Sequence, residues 1–172
     1  MKYVYNDELL INMIYDPIIN CYGYGVQEFL RTIFEKCESP IENLFLSSII
    51  FLAHEHGYKI NVNNKLAPIK TGDTAPTLKI ECQYKINSYR IDFLIELESE
   101  NKNSAKILVE CDGHDFHEKT KEQAAKDHKR DRCLQSLKYK IYRYTGSEVY
   151  KNTFACAMEV IEEVRKDFLD KN

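Results

Sequence analysis

Two periodicities alternate along this chain and divide it into elements. Over residues 7–37 apolar positions recur at helical spacing in two pieces. The first is interrupted near Pro17, and Cys21-Tyr22-Gly23-Tyr24-Gly25 separates it from the run ending at Cys37. Ser39-Pro40-Ile41-Glu42 then reads as a capping box with proline at the first helical position. Ile41, Leu44, Phe45, Ser48, Ile49 and Leu52 follow on one helical face, and Gly57 ends the helix. Beyond it the period drops to two. Tyr58, Ile60 and Val62 alternate with polar residues, and a loop rich in Asn, Pro, Gly and Thr spans 63–76. Leu78, Ile80, Cys82, Tyr84 and Ile86 alternate again, as do Tyr89, Ile91, Phe93, Ile95 and Leu97. The polar stretch 98–105 fits a hairpin loop, and 106–111 is a short, nearly continuous apolar strand. A helix is predicted over about 118–137 and an aromatic, β-branched strand over 139–144. Thr145 to Glu148 cap a last helix running to about Phe168.

Helix, strands, helix, strand, helix is the order of an α/β domain, a central mixed β-sheet flanked by α-helices. Residues 1–38 form an N-terminal helical extension expected to pack on the core domain of 39–172. A length of 172 residues suits one such domain. The longest apolar stretch, SSIIFLA, is far too short to span a bilayer, so no membrane partner is expected. The start of the chain shows no apolar signal core, and the six cysteines are scattered without a CxxC pair. Reduced thiols and a cytoplasmic location are therefore predicted.

Charge changes the picture locally rather than globally. The net charge of −3 argues against indiscriminate nucleic-acid binding. Between Lys119 and Arg143, however, nine Lys/Arg face three acids, so one basic element sits beside an acidic body. A solvated helix face and a phosphate-binding surface both explain such a run.

The densest chemistry lies in LVECDGHDFH, residues 108–117. On a strand, Glu110 and Asp112 point the same way about 7 Å apart. Alternation likewise puts Tyr89, Ile91, Phe93 and Ile95 on one face of their strand, and Arg90, Asp92, Leu94 and Glu96 on the other. If the two strands form a hairpin, Asp92 meets Glu110 at its end. Two strand-borne carboxylates beside a basic helix suit a hard divalent cation such as Mg2+. Outward acids at a sheet margin would give the same spacing. Zinc at Cys111-x2-His114-x2-His117 is a weaker alternative, because Cys111 should face the core and no fourth ligand has matching spacing. In His54-Glu55-His56 the two imidazoles do not share a helical face, which favours a helix-end role.

Taken together, CQYKINSYRIDFLIEL, ILVECDGHDFH and KDHKRDRCLQSLKYKIYRYTGSEV resemble the PD-(D/E)XK nuclease superfamily, in particular the branch near very-short-patch-repair endonucleases. The matching elements are Glu42, Tyr89 to Phe93, Glu110 to Gly113 with His114 and His117, Asp127, Arg130, Asp131, Leu134, and a strand with a buried arginine at Arg143. They cover about 39–150. The resemblance implies a restriction-endonuclease-like core and a metal site held by Asp92 and Glu110. It adds the Cys111 backbone carbonyl, and Glu42 directly or through water, although Glu42 is equally the acid of the capping box. Mg2+ is the implied cofactor, with Mn2+ as substitute. The pattern departs at Asp112, which stands where the superfamily carries a lysine. That leaves Asp112, His114 and His117 as catalytic candidates, with Lys119 and Lys121 able to restore the missing charge. Lys119, Lys121, Lys126, Lys129, Arg130 and Arg132 are the expected nucleic-acid contacts. The implied activity is phosphodiester hydrolysis by a metal-dependent nuclease, a DNA endonuclease ahead of an RNA one, in repair, restriction or defence. The alternative is a catalytically inactive nuclease-like domain binding nucleic acid or a partner protein. Residues 1–38 would be the place for a homodimer or protein contact.

Overall fold

The computed structural model describes residues 24–100, 104–112 and 121–170. The expectations placed on residues 1–23, including the break near Pro17, lie outside these. The elements are α1 (Tyr24–Phe34), α2 (Pro40–Glu55), β1 (Lys59–Val62), β2 (Lys65–Leu66), β3 (Thr77–Ile86), β4 (Tyr89–Glu98), β5 (Ser104–Asp112), α3 (Lys121–Ser136), β6 (Lys140–Thr145) and α4 (Gly146–Leu169). Six strands form one mixed sheet in the order β2-β1-β3-β4-β5-β6. β3, β4 and β5 are an antiparallel meander, while β1 pairs with β3, and β6 with β5, in parallel. A parallel neighbour needs a long crossover, and α3 supplies it between β5 and β6. The short β2, which the sequence pattern hid inside a polar loop, follows β1 through Asn63 and Asn64. Both have positive φ (49° and 64°), as a tight two-residue hairpin loop demands.

Among the described residues two apolar clusters form, and together they fix where the site can be. The larger gathers Phe29, Leu30 and Ile33 of α1, Phe45 and Ile49 of α2, and Val160 and Val164 of α4 against Phe93, Ile95, Ile107 and Val109 of the sheet. The smaller joins Leu134 of α3 to Ile86, Ile91, Leu94 and Leu108. α2 and α4 are further joined by Ser48 and Thr153, whose hydroxyls lie 3.1 Å apart. The predicted uninterrupted last helix is broken at Asn152 (φ −155°, ψ 68°). Its side chain accepts from the Ala155 N–H at 3.2 Å and so recaps the helix that continues. Cys37, Cys82, Cys111, Cys133 and Cys156 are free thiols. Among the described residues, no helix is long and apolar enough to cross a membrane.

One expectation of strict alternation is corrected. Phe93 and Ile95 pack in the larger core, but Ile91, two residues earlier, packs in the smaller one. The cause lies in the hairpin of β3 and β4. Its register runs from Ile86↔Tyr89 to Thr77↔Glu98 but skips the pair Gln83–Asp92. Gln83 there has φ 55°, a left-handed conformation unfavourable for a side chain with a Cβ. The local turn of the backbone moves the outer end of the hairpin across the sheet and leaves Asp92 at the interruption.

Candidate active site

The interruption has a second consequence on the other side of β4. The β4–β5 ladder ends at Phe93↔Val109, one step short of Asp92 and Glu110, which the same register sets opposite each other. Instead of pairing backbone to backbone, Asp92 accepts the Cys111 N–H through Oδ2 at 2.7 Å. The two carboxylates expected to meet at a hairpin end therefore do share one strand junction. Burial, and the negative charges of Glu42 and Asp112, push the Asp92 carboxyl up to about 6, against the lowering pull of the Cys111 N–H and Arg130. A carboxyl raised first by burial and then by its neighbours' charge marks a candidate functional group.

Glu110 is only 3 % exposed, and two guanidiniums close on it. Arg143 of β6 donates from Nε to Oε2 at 2.7 Å. Arg130 of α3 pairs with Oε1. Arg143 also binds Asp131, holding that carboxyl below its usual range. Burial and the adjacent Arg143 together disfavour the charge on Arg130. The superfamily's buried arginine departs from expectation here, because the Arg143 side chain is 34 % exposed at the sheet edge. β6 is an edge strand covered on one side only, so its side chain reaches solvent past Glu110.

Glu42 sits at the start of α2, where its hydrogen bonds serve the cap of the helix. Ser39 caps the helix, its hydroxyl accepting from the Glu42 N–H and donating to Glu42 Oε1 at 2.8 Å. Glu42 Oε2 accepts from the Glu38 N–H at 2.9 Å, one residue earlier than a capping box would have it. The same oxygen accepts from Gln83 Nε2 at 2.8 Å. Gln83 thus ties the helix acid to the interrupted strand, a part that sequence reading did not assign to it. The two-residue turn at Asn87 and Ser88 could have revealed it, since counting back along the hairpin puts Gln83 opposite Asp92. Because that conformation tolerates glycine best and β-branched residues worst, Gln83→Val is expected to lose about 1–3 kcal/mol of stability. Gln83→Gly should stay within about 1 kcal/mol, strain relief offsetting the lost hydrogen bond. Urea unfolding of the two variants checks the difference.

Asp112 ends β5, exposed and in register with Thr145. Cys111 is buried in the larger core, where burial pushes its thiol up, so only its backbone is available to a cation. Lys129 and Arg132 are exposed on α3. Lys121 and Lys126 lie on the same helix, with side chains outside the described residues. Lys119, His114 and His117 are outside the described residues altogether. His54 lies 3.6 Å from its neighbour Glu55 and His56 caps the helix, as a helix-end role requires.

Among the described residues no three His, Cys, Asp or Glu side chains form a ready-made metal cage. Magnesium does not need one, since it keeps several waters and takes one or two carboxylates. The donor chemistry at the β4–β5 junction fits that demand: two carboxylates and a backbone carbonyl, all hard oxygens, with Asp92 short of positive charge. Glu110 would have to share its oxygens with the arginines that hold it.

Comparison with known proteins agrees with this architecture. The family model REase_MTES_1575, a restriction-endonuclease-like family, matches residues 74–164, from just before β3 into α4 and over more than half of the chain. The match does not single out the very-short-patch-repair branch. No curated protein and no solved structure matches.

Proposed function

The chain belongs to the restriction-endonuclease-like family REase_MTES_1575, and on that premise we propose that it is a divalent-metal-dependent nuclease cutting DNA. The observation that carries the proposal is the opening of the sheet at Asp92, where the ladder gives way one step before Asp92 and Glu110, with Asp92 held by the Cys111 N–H and Glu110 by two arginines. Asp92, Glu110 and the Cys111 carbonyl would hold Mg2+ or Mn2+, with Glu42 acting on them through its charge. When bound, such an ion polarises a phosphoryl oxygen and turns a water into a nucleophile at neutral pH. The chain's own residues do the rest. The Cys111 N–H fixes the Asp92 carboxylate in place, and the Ser39, Glu38 and Gln83 donors fix Glu42. His114, His117 and Asp112 remain the candidates for moving the proton. A role in repair, restriction or defence, including the very-short-patch-repair branch, belongs to the same proposal, as does a cytoplasmic location.

The exposed cations of α3 would hold the phosphate backbone, which gives affinity without sequence choice. Replacing Lys129 or Arg132 by Ala is expected to weaken binding to all sequences alike and to lower the salt slope by about one each. Binding isotherms over a salt series in Ca2+ check this. The activity itself is tested by incubating wild type with plasmid, single-stranded DNA and RNA in Mg2+ and in Mn2+. Cutting of DNA that stops on chelation supports the reading. Inertness on every substrate, with no divalent ion raising the melting temperature, would leave the alternative of an inactive nuclease-like binding domain.

A further inference from the structure

The carboxylate site is short of one cation by comparison with the superfamily, because Asp112 stands where its lysine belongs. The described residues nevertheless bring two cations to that place from elsewhere in the chain. Arg143 is held twice, by Glu110 through Nε and by Asp131 through Nη2. Among the described residues, Arg130 is held by one carboxylate rather than two. Apart from Glu110 it makes a long contact of 3.4 Å to the Arg90 carbonyl, and its Nε is buried with no hydrogen-bond partner among the described residues. It also stands next to Arg143, a like charge. Its field reaches Asp92 as well as Glu110. A guanidinium paired with one carboxylate of a metal site and felt by the other supplies the charge a divalent cation would bring.

We propose that Arg130 is a displaceable counter-ion of the Asp92–Glu110 site, which yields Glu110 to the divalent cation and turns its guanidinium to the phosphate being cut. The inference rests on the nuclease reading and assigns the missing lysine's charge to α3. Helix α3 suits the exchange. It enters the smaller core through Leu134 and also carries Lys129 and Arg132 exposed, so the element that brings Arg130 to the carboxylates offers further cations to a phosphate backbone. Guanidinium binds carboxylate and phosphate with the same planar fork, so the move exchanges one partner for another of equal geometry. While Arg130 neutralises Glu110, the two carboxylates can lie together without a metal. Once the cation neutralises them, two like charges would compete for the same oxygens, and the arginine leaves.

Competition between a guanidinium and a cation is a linkage, so removing one must strengthen the other. The test is Mn2+ affinity of the full chain, read by the paramagnetic signal of free Mn2+, for wild type, Arg130→Met and Arg130→Lys. Arg130→Met is expected to bind Mn2+ roughly tenfold tighter, within the usual range of site coupling, yet to cut DNA more slowly. Arg130→Lys should fall between the two in both measurements, keeping the charge and losing the fork. A merely structural arginine would lower melting temperature and Mn2+ affinity together. Unchanged or weaker Mn2+ binding in either folded variant overturns the proposal, as does absence of Mn2+ binding in all three proteins. Failure of the nuclease reading is seen separately, as wild type that binds Mn2+ tighter on loss of Arg130 but cuts nothing.

Discussion

In chelator at about pH 7.5, an Asp92→Asn protein is expected to unfold at a higher temperature than wild type while having lost its cutting activity. The direction follows from linkage. The Asp92 carboxyl titrates at about 6 in the folded chain against 3.8 when unperturbed, because burial and the charges of Glu42 and Asp112 oppose its ionisation. Between those two values the folded state binds more protons than the unfolded one. Stability therefore falls as pH rises through that window and stays reduced above it. The shift corresponds to a few kcal/mol at most, and partial solvent access brings it to about 1–2 kcal/mol. Asparagine keeps an oxygen for the Cys111 N–H, which Asp92 accepts at 2.7 Å, and removes the charge. At about pH 3 and below the two proteins should melt alike, since the carboxyl is then largely protonated in both states. Divalent ions should reverse the order at neutral pH, stabilising wild type and leaving the variant unmoved. Scanning calorimetry with chelator and with Mn2+ measures all four conditions. A variant less stable than wild type in chelator would mean that Asp92 is a structural hydrogen-bond acceptor first.

The largest loss of stability is expected at Phe93. It is 1 % exposed, stacks on Phe45 with ring centroids 5.6 Å apart, and is the last β4 residue still paired with β5 before the ladder opens at Asp92. Phe45 also packs at 5.8 Å against Tyr144 of β6, so one aromatic group holds α2, β4 and β6 together. Truncation to Ala removes the transfer energy of the ring and leaves a cavity that close-packed neighbours fill only in part, about 3–5 kcal/mol. A domain of this size has roughly 5–15 kcal/mol in total, so Phe93→Ala should lose about a fifth of its stability or more. Because Phe93 adjoins Asp92 in sequence, cutting should fall beyond what the folded fraction explains. Urea midpoints beside activity per folded molecule separate the two effects. Phe93→Leu, which keeps most of the volume, should recover most of both.

Much of this architecture was legible because each element carries its own period. The capping residues before α2, the alternation in β3 and β4, and the apolar run of β5 are local signals that tertiary contacts reinforce. The juxtaposition of Asp92 with Glu110 was legible too, since antiparallel neighbours on short connections leave little freedom of register. What escaped depends on side chains from distant elements. The Asn152 break competes with a strongly helical sequence and succeeds through a side-chain cap on Ala155. Gln83 lies in a normally alternating run, and its left-handed backbone makes sense only once Glu42 and Asp92 stand on either side of it. The arginine pair on Glu110 joins α3 and β6 to β5, and spacing along the chain carries no trace of that convergence. Arg130 looked like one more cation of a basic helix, whereas it turns in to Glu110 while Lys129 and Arg132 face solvent.

Asp92 and Glu110 are proposed as the two halves of a cation site that cuts phosphodiesters. The most direct measurement is the rate of supercoiled-plasmid cleavage in Mn2+ by wild type, Asp92→Asn and Glu110→Gln, each confirmed folded. Wild type should cut in Mn2+ and stop on chelation, and each variant should be slower by at least about a hundredfold, as when a preorganised electrostatic group is removed. Variants that cut as fast as wild type, or wild-type cleavage that persists in chelator, would contradict it.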